Sequence, residues 1–286
     1  MLDLTTGSLT VVALFCFAAN SILCRLALAP NLIDASSFAT VRVTAAAAIL
    51  TMLVVLSQRR LPRFNTHCIS SIVSLFAYII FFSLAYTRIS TGVGALVLFG
   101  SVQVTMIGFA LWQGERLPTT SWVAFGVAII GLAYLVSPGM SAPEPIGAIF
   151  MILSGTAWAL FSLSGRSKVD PIDSNAVSFI GCVPLALIAN AVFSKDFSIT
   201  TEGFLLAVAS GAIASGLGYA VWYAALRKLT ITHASTVQLL VPALAAFGGA
   251  VLLSEPITFR LLLASGALLG SVAVIILKRS RTATSH

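Results

Sequence analysis

The chain has 286 residues, of which 58% are hydrophobic and 9% charged, with a mean hydropathy of +1.03. A soluble domain carries roughly 25% charged residues and must clothe its surface in polar side chains, so lipid is the solvent for most of this chain. The net charge of +7 comes from 16 Lys and Arg that lie between apolar runs, and they form no dense basic patch of the kind that binds nucleic acid.

A helix needs about twenty mostly apolar residues to cross the hydrocarbon core. Such runs fall at 5–28, 36–57, 70–87, 91–113, 119–136, 146–165, 173–193, 204–226, 232–254 and 259–277. No basic segment precedes the first run, which reads as a retained span rather than a cleaved signal peptide. The links are short, so function resides in the membrane bundle. The expected fold is an all-α integral membrane protein of ten transmembrane helices. Cys16, Cys24, Cys68 and Cys182 have no CxxC spacing and read as small buried hydrophobes rather than metal ligands or disulfides.

Orientation follows from Lys and Arg placement. Arg59, Arg60, Arg63, Arg116, Arg166, Lys168, Arg227, Lys228, Lys278, Arg279 and Arg281 share one set of span ends, against Arg25, Arg88, Lys195 and Arg260 on the other. The richer side faces the cytoplasm, which places both termini on the cytoplasmic side of a cell inner membrane.

The sequence also repeats. A shift of 140 positions pairs Ala85 with Ala225, Val97 with Val237, Gly108 with Gly248 and Glu115 with Glu255. A shift of 141 pairs Ser21 with Ser162 and Pro30 with Pro171. Two five-span halves, 1–138 and 139–286, must enter the membrane from opposite sides because five is odd. Inverted repeats of this kind are typical of secondary transporters that hold substrate where the halves meet.

Span four reads GALVLFGSVQVTMIGFALWQGERL and its partner in span nine STVQLLVPALAAFGGAVLLSEPIT. An apolar, glycine-spotted helix ending in Gly-Glu-Arg or Ser-Glu-Pro resembles the signature of the EamA family, within the drug/metabolite transporter superfamily. The resemblance extends over nearly the whole chain and implies two five-helix repeats. Within the family the chain looks most like the YddG-type exporters of aromatic amino acids.

Every carboxylate falls at or beyond an expected helix end, so no buried acid is available for proton coupling and facilitated diffusion is expected. Arg42 lies inside span two, where pairing with Asp34 or snorkelling outward is expected, with capture of a substrate carboxylate as the alternative. The same holds for Arg25. Asn20, Gln103 and Gln238 are amides within spans that need cross-helix partners or a cavity. Tyr78 and Phe82 share a face of span three, and Tyr219 and Trp222 a face of span eight. Trp158 sits mid-span in six and aligns with Phe17. Aromatic rings with a few amides suit apolar or aromatic zwitterions, while ordinary helix packing accounts for the same residues. Gly92, Gly100 and Gly108 make span four pliable, as Pro242 and Gly248 do span nine, so these two are the expected hinges.

These features point to an inner-membrane exporter of small organic solutes, amino acids with aromatic or apolar side chains foremost, working by alternating access as a monomer or weak homodimer. A drug, nucleotide-sugar or sugar-phosphate carrier is the alternative, and a membrane-embedded enzyme a remote one. No cofactor or metal is expected. The charge bias predicts that a reporter fused after His286 reads out as cytoplasmic; a periplasmic readout would overturn the topology and count against the repeat.

Overall fold

The structure, a computed structural model, describes residues 4–64, 68–114, 119–137, 142–165, 170–193 and 198–283. Helix is the regular structure of the described residues, broken by one isolated antiparallel bridge between Ile33 and Ile199. The helices are α1 (Leu4–Leu28), α2 (Ala35–Gln58), α3 (Cys68–Tyr86), α4 (Thr91–Trp112), α5 (Thr119–Val136), α6 (Pro145–Gly165) and α7 (Pro171–Phe193). They continue with α8 (Thr201–Leu226), α9 in two pieces (Ile231–Gln238 and Val241–Leu253) and α10 (Phe259–Ala283).

Among the described residues, eight helices are long and apolar enough to cross a membrane: α1 to α4 and α6 to α9. The apolar stretches described in α5 and α10, Phe125–Val136 and Phe259–Ser271, are shorter. Large apolar side chains such as Phe15, Met52, Ile69, Ile130, Ile188 and Phe247 are exposed on the outside of the bundle, where lipid rather than water suits them.

Helix starts are set by local chemistry. Asp34 accepts the Ser37 backbone N–H at the head of α2, Thr200 accepts Gly203 at α8, and Thr230 accepts His233 at α9. Ser90 makes no side-chain cap at α4; Glu255, from the link after α9, accepts the Thr91 backbone N–H at 2.7 Å instead. Two helices are irregular. Pro242 stands in the first turn of the second piece of α9, and because it has no N–H to donate, the helix breaks between Gln238 and Val241. In α8, Ser210–Leu217 is π-helical. By contrast α4 runs unbroken through Gly92, Gly100 and Gly108.

The first helix of each expected half packs on the other half. α6 lies against α3 and α4, while α1 lies against α8 and the second piece of α9; α2 packs on α7, α4 on α9, and α5 on α10. Close approach needs absent side chains at some of these seams. A Cβ on Gly211 would overlap the backbone carbonyl oxygen of Arg42, so the π segment can touch α2 only because that residue is glycine.

At the end of the bundle where α1 joins α2, Arg25 pairs with Glu255 at 3.1 Å and also donates to the Tyr86 carbonyl at 2.7 Å. There the Thr200 N–H bonds the Leu32 carbonyl at 2.8 Å and the Asp34 N–H bonds that of Ser198 at 3.0 Å. At the opposite end Arg60 pairs with Asp173 at 2.7 Å, and Gln58 donates to Asp170.

Burial pushes the Asp34 carboxyl up, but hydrogen bonds from Ser37, Ser36 and Ser198 outweigh it and hold the group below the ordinary carboxylate range. A depressed pKa contributes stability above the unfolded-state value and loses it as pH falls through the folded one. Asp34→Ala should therefore lower stability by about 0.5–2 kcal/mol near neutral pH, read as thermal unfolding in detergent. The gap from wild type should close on acidification; a gap that is unchanged in acid would show that the carboxylate is not its source.

Candidate functional site

The interior of the bundle is an aromatic cluster drawn from α1, α3, α6 and α8. Phe17 is at its centre, with its ring centroid 5.2 Å from Trp158, 5.8 Å from Tyr219 and 5.5 Å from Trp222. Trp158 in turn lies 4.7 Å from Tyr219 and 5.1 Å from Tyr78, and Phe82 packs on Tyr78 at 5.3 Å. The rings meet edge-on or tilted, the arrangements their quadrupoles favour. They fill the space between the helices, and Trp158 and Trp222 are 2% and 0% exposed.

A polar centre adjoins the rings. The Tyr219 hydroxyl donates to that of Tyr78 at 3.0 Å, and the Asn20 amide donates to the same Tyr78 oxygen at 3.2 Å. Ser210 closes the chain by donating to the Asn20 carbonyl oxygen at 2.7 Å. On the other side of Trp158, its indole N–H donates to the Gln238 carbonyl oxygen at 2.8 Å, and the Gln238 amide donates to the Ala234 carbonyl at 2.9 Å. Asn20, Tyr78, Phe82, Trp158, Tyr219, Trp222 and Gln238, singled out from the sequence, thus come together.

Arg42 completes the polar centre and corrects the expectation that it pairs with Asp34 or snorkels. It is 0% exposed. Its Nε donates to Ser215 at 3.0 Å, and its Nη2 donates to Tyr219 at 2.9 Å and Tyr78 at 3.2 Å. The guanidinium carbon also lies 5.3 Å and 5.0 Å from the ring centroids of Tyr78 and Phe82. The physical reason is on α8. In a regular α-helix positions five apart sit about 140° round the axis, but the i→i+5 repeat of the π segment brings Ser210 and Ser215 to one face. Asp34 meanwhile is committed to its helix cap. Arg25 also differs from expectation, since Glu255 rather than Asp34 receives it.

Gln103 is not brought to the cluster. It is buried on α4 beside Phe125, Ala128, Ile129 and Leu132 of α5, and neither of its amide atoms has a partner among the described groups. Phe17, Arg42, Ser210 and Ser215 are among the residues that sequence reasoning leaves out of the site; the two serines carry no signal of their own. Phe17 was visible only as the repeat counterpart of Trp158; Arg42 was flagged by its charge and assigned elsewhere. A cavity of about 810 Å³ lies between α1, α2, α7 and α8, lined by Leu9, Leu53, Ile172, Leu217 and Val221 with Asp170, Arg227 and Lys228. It touches the stripe Leu217, Ala220, Val221 and Ala224, the face of α8 turned away from Tyr219 and Trp222, so it is separate from the cluster.

The sequence profile of the EamA-like transporter family matches residues 145–277. An uncharacterized protein of Pseudomonas aeruginosa is 43% identical over 279 residues, which cover 98% of this chain and 97% of that protein. The chain belongs to the EamA-like transporter family. An uncharacterized transporter of Archaeoglobus fulgidus is 27% identical over 208 residues, 71% of this chain and 74% of that protein. The threonine/homoserine exporter RhtA of Escherichia coli K12 is 28% identical over 173 residues, 58% of this chain and 57% of that protein. A crystal structure with 18% identity superimposes at a TM-score of 0.72, covering 96% of this chain and 99% of that one, a likeness of fold alone. Family and helices together make this a multi-pass membrane protein of a transporter family, and the Archaeoglobus and Escherichia relatives bear the names of a transporter and an exporter rather than of enzymes.

The hydroxyls around Arg42 are charge-assisted partners, each worth about 1.5–3 kcal/mol when removed from a buried charge. Tyr219→Phe should cost an amount in that range, read as unfolding of the purified protein. Tyr78→Phe together with Tyr219→Phe should cost less than the sum of the two, because the hydroxyls also bond each other. Strict additivity would mean that the network does not act as a unit.

Proposed function

We propose that this EamA-family member is an inner-membrane exporter of amino acids with aromatic or apolar side chains, working by alternating access of two inverted five-helix repeats, 1–138 and 139–286. The observation that carries this reading is the aromatic and hydroxyl cluster around Phe17, Tyr78, Trp158, Tyr219 and Trp222, at the meeting place of both halves. Rings offer stacking surface to an apolar side chain and hydroxyls offer hydrogen bonds to its polar head. The likeness to a threonine/homoserine exporter supports an amino-acid cargo. The sequence resemblance to YddG-type exporters favours its aromatic end.

Support for the repeat comes from the packing of α6 on α3 and α4 matched by that of α1 on α8 and α9. Two similar halves in opposite orientations have two arrangements of similar energy, each open to one side. The cluster is enclosed in this arrangement, so substrate enters when helices part, with the broken α9 and the π segment of α8 joining glycine-rich α4 as places to bend. Both termini then face the cytoplasm. Asp34, Glu144, Asp170, Asp173, Glu202 and Glu255 all stand at helix ends; Asp3, Glu115 and Asp196 lie outside the described residues. Transport is therefore assigned to facilitated diffusion.

In proteoliposomes, labelled phenylalanine should move down its own gradient with no imposed pH step. Trp158→Ala and Trp222→Ala, if folded, should weaken phenylalanine transport about two- to tenfold more than threonine transport. Uphill accumulation driven by a pH step would refute facilitated diffusion, and equal losses for both cargoes would place the aromatic site elsewhere.

A further inference from the structure

Arg42 lies seven residues into α2 from Ala35, about 10 Å along the helix at 1.5 Å per residue. A guanidinium held out of water there loses several kcal/mol of hydration that neutral partners repay only in part. Its partners are all neutral: Ser215, Tyr78, Tyr219 and the faces of two rings. None of the described carboxylates forms an ion pair with it.

The hydrogen bonding is lopsided as well. Three donors, from Asn20, Arg42 and Tyr219, converge on the Tyr78 hydroxyl oxygen, which has two lone pairs to offer. Among the described residues, the Nη1 group of Arg42 finds no acceptor, and neither does the indole N–H of Trp222 in the same cluster. Arginine and indole nitrogens can only donate. The groups around Arg42 thus combine a positive charge, three donors crowded on one hydroxyl oxygen, and N–H groups without an acceptor among the described residues.

We infer that Arg42 is the seat of the substrate's carboxylate, with the Tyr78 and Tyr219 hydroxyls standing in for that carboxylate when the site is empty. A carboxylate supplies what the centre lacks: one negative charge against one cation, and two oxygens that can take a guanidinium edge side by side. A phosphate monoester would bring a second negative charge that nothing described here matches. The aromatic rings next to Arg42 leave the organic side chain of the same molecule an apolar place. This inference rests on the exporter reading and narrows it: the carboxylate, not the amino group, is the part of the cargo that the protein must find.

The test is counterflow into liposomes carrying the full-length protein, preloaded with phenylalanine and supplied with labelled phenylalanine outside. Competitors are 3-phenylpropionate, which keeps the carboxylate and lacks the amine, and phenylalaninamide and phenethylamine, which lack the carboxylate. Wild type should be inhibited by 3-phenylpropionate within about tenfold of phenylalanine itself, and at least about tenfold less by the two amines, because a site built around a polar group rejects analogues that leave it unpaired. Arg42→Gln, checked for folding by size-exclusion and thermal unfolding, should level the competitors to within about twofold. A purely structural arginine would lower activity without changing that ranking. The proposal is overturned if wild type takes the amide as readily as the acid, or if folded Arg42→Gln keeps the ranking. Should the variant not fold, the wild-type ranking alone decides. Absence of counterflow with phenylalanine and with every other amino acid overturns the exporter reading, and the carboxylate seat falls with it.

Discussion

Keeping one guanidinium out of water constrains much of the bundle's centre. Arg42 must reach hydroxyls on both α3 and α8, so those helices have to approach α2 closely enough for direct hydrogen bonds. Gly211 lets the π segment rest on the Arg42 carbonyl, and that segment turns Ser215 toward the cation while Ser210 reaches Asn20 on α1. The aromatic rings follow from the same constraint: Tyr78 and Phe82 lie close enough to the guanidinium for cation–π attraction as well as packing. In lipid, an unmet polar group costs more than in a soluble core, so these residues are coupled in their demands.

On the proposed division at 138/139, the two halves supply this centre unequally. Phe17 and Trp158 stand 141 positions apart and so do Tyr78 and Tyr219, and each pair is in contact. Residues 141 positions apart therefore meet in the middle of the bundle. Arg42 breaks the correspondence, because α7, the helix matching α2, has no Lys or Arg along Pro171–Phe193. On the proposed repeat, a symmetric frame carries an asymmetric charge. Such a frame suits reversal between two similar shapes; the charge gives the interior a chemical direction that the frame does not have.

How far the sequence discloses this depends on whether the signal is local. Apolar runs of membrane-crossing length are local, and the helices fall close to where those runs place them. The break in α9 is equally readable, since Pro242 carries its own steric reason. The aromatic faces of α3 and α8 are visible in their spacing. The π segment is not, because the i→i+5 register of Ser210–Leu217 depends on tertiary contacts with α1 and α2 rather than on any residue that demands it. For that reason the partners of Arg42 were hidden, and the nearest acid in sequence, Asp34, looked like the better match. Gln103 failed for a related reason: buried on nearly every side, α4 offers no sequence cue to which neighbour the amide meets. The tie from Arg25 to Glu255 spans 230 positions and has no local trace at all.

The tyrosine hydroxyls around Arg42 bear on the kinetics of the carrier's cycle. Were the cation matched only by its cargo, an unloaded protein would have to drag a bare charge through its own interior in order to reset, and that barrier would bind each outward trip to an inward passenger. On the exporter and carboxylate proposals, resident hydroxyls lower the cost of the empty return. On those same proposals, the tyrosines are what separates net flow down a concentration gradient, able to relieve an excess inside the cell, from an obligatory swap of one molecule for another.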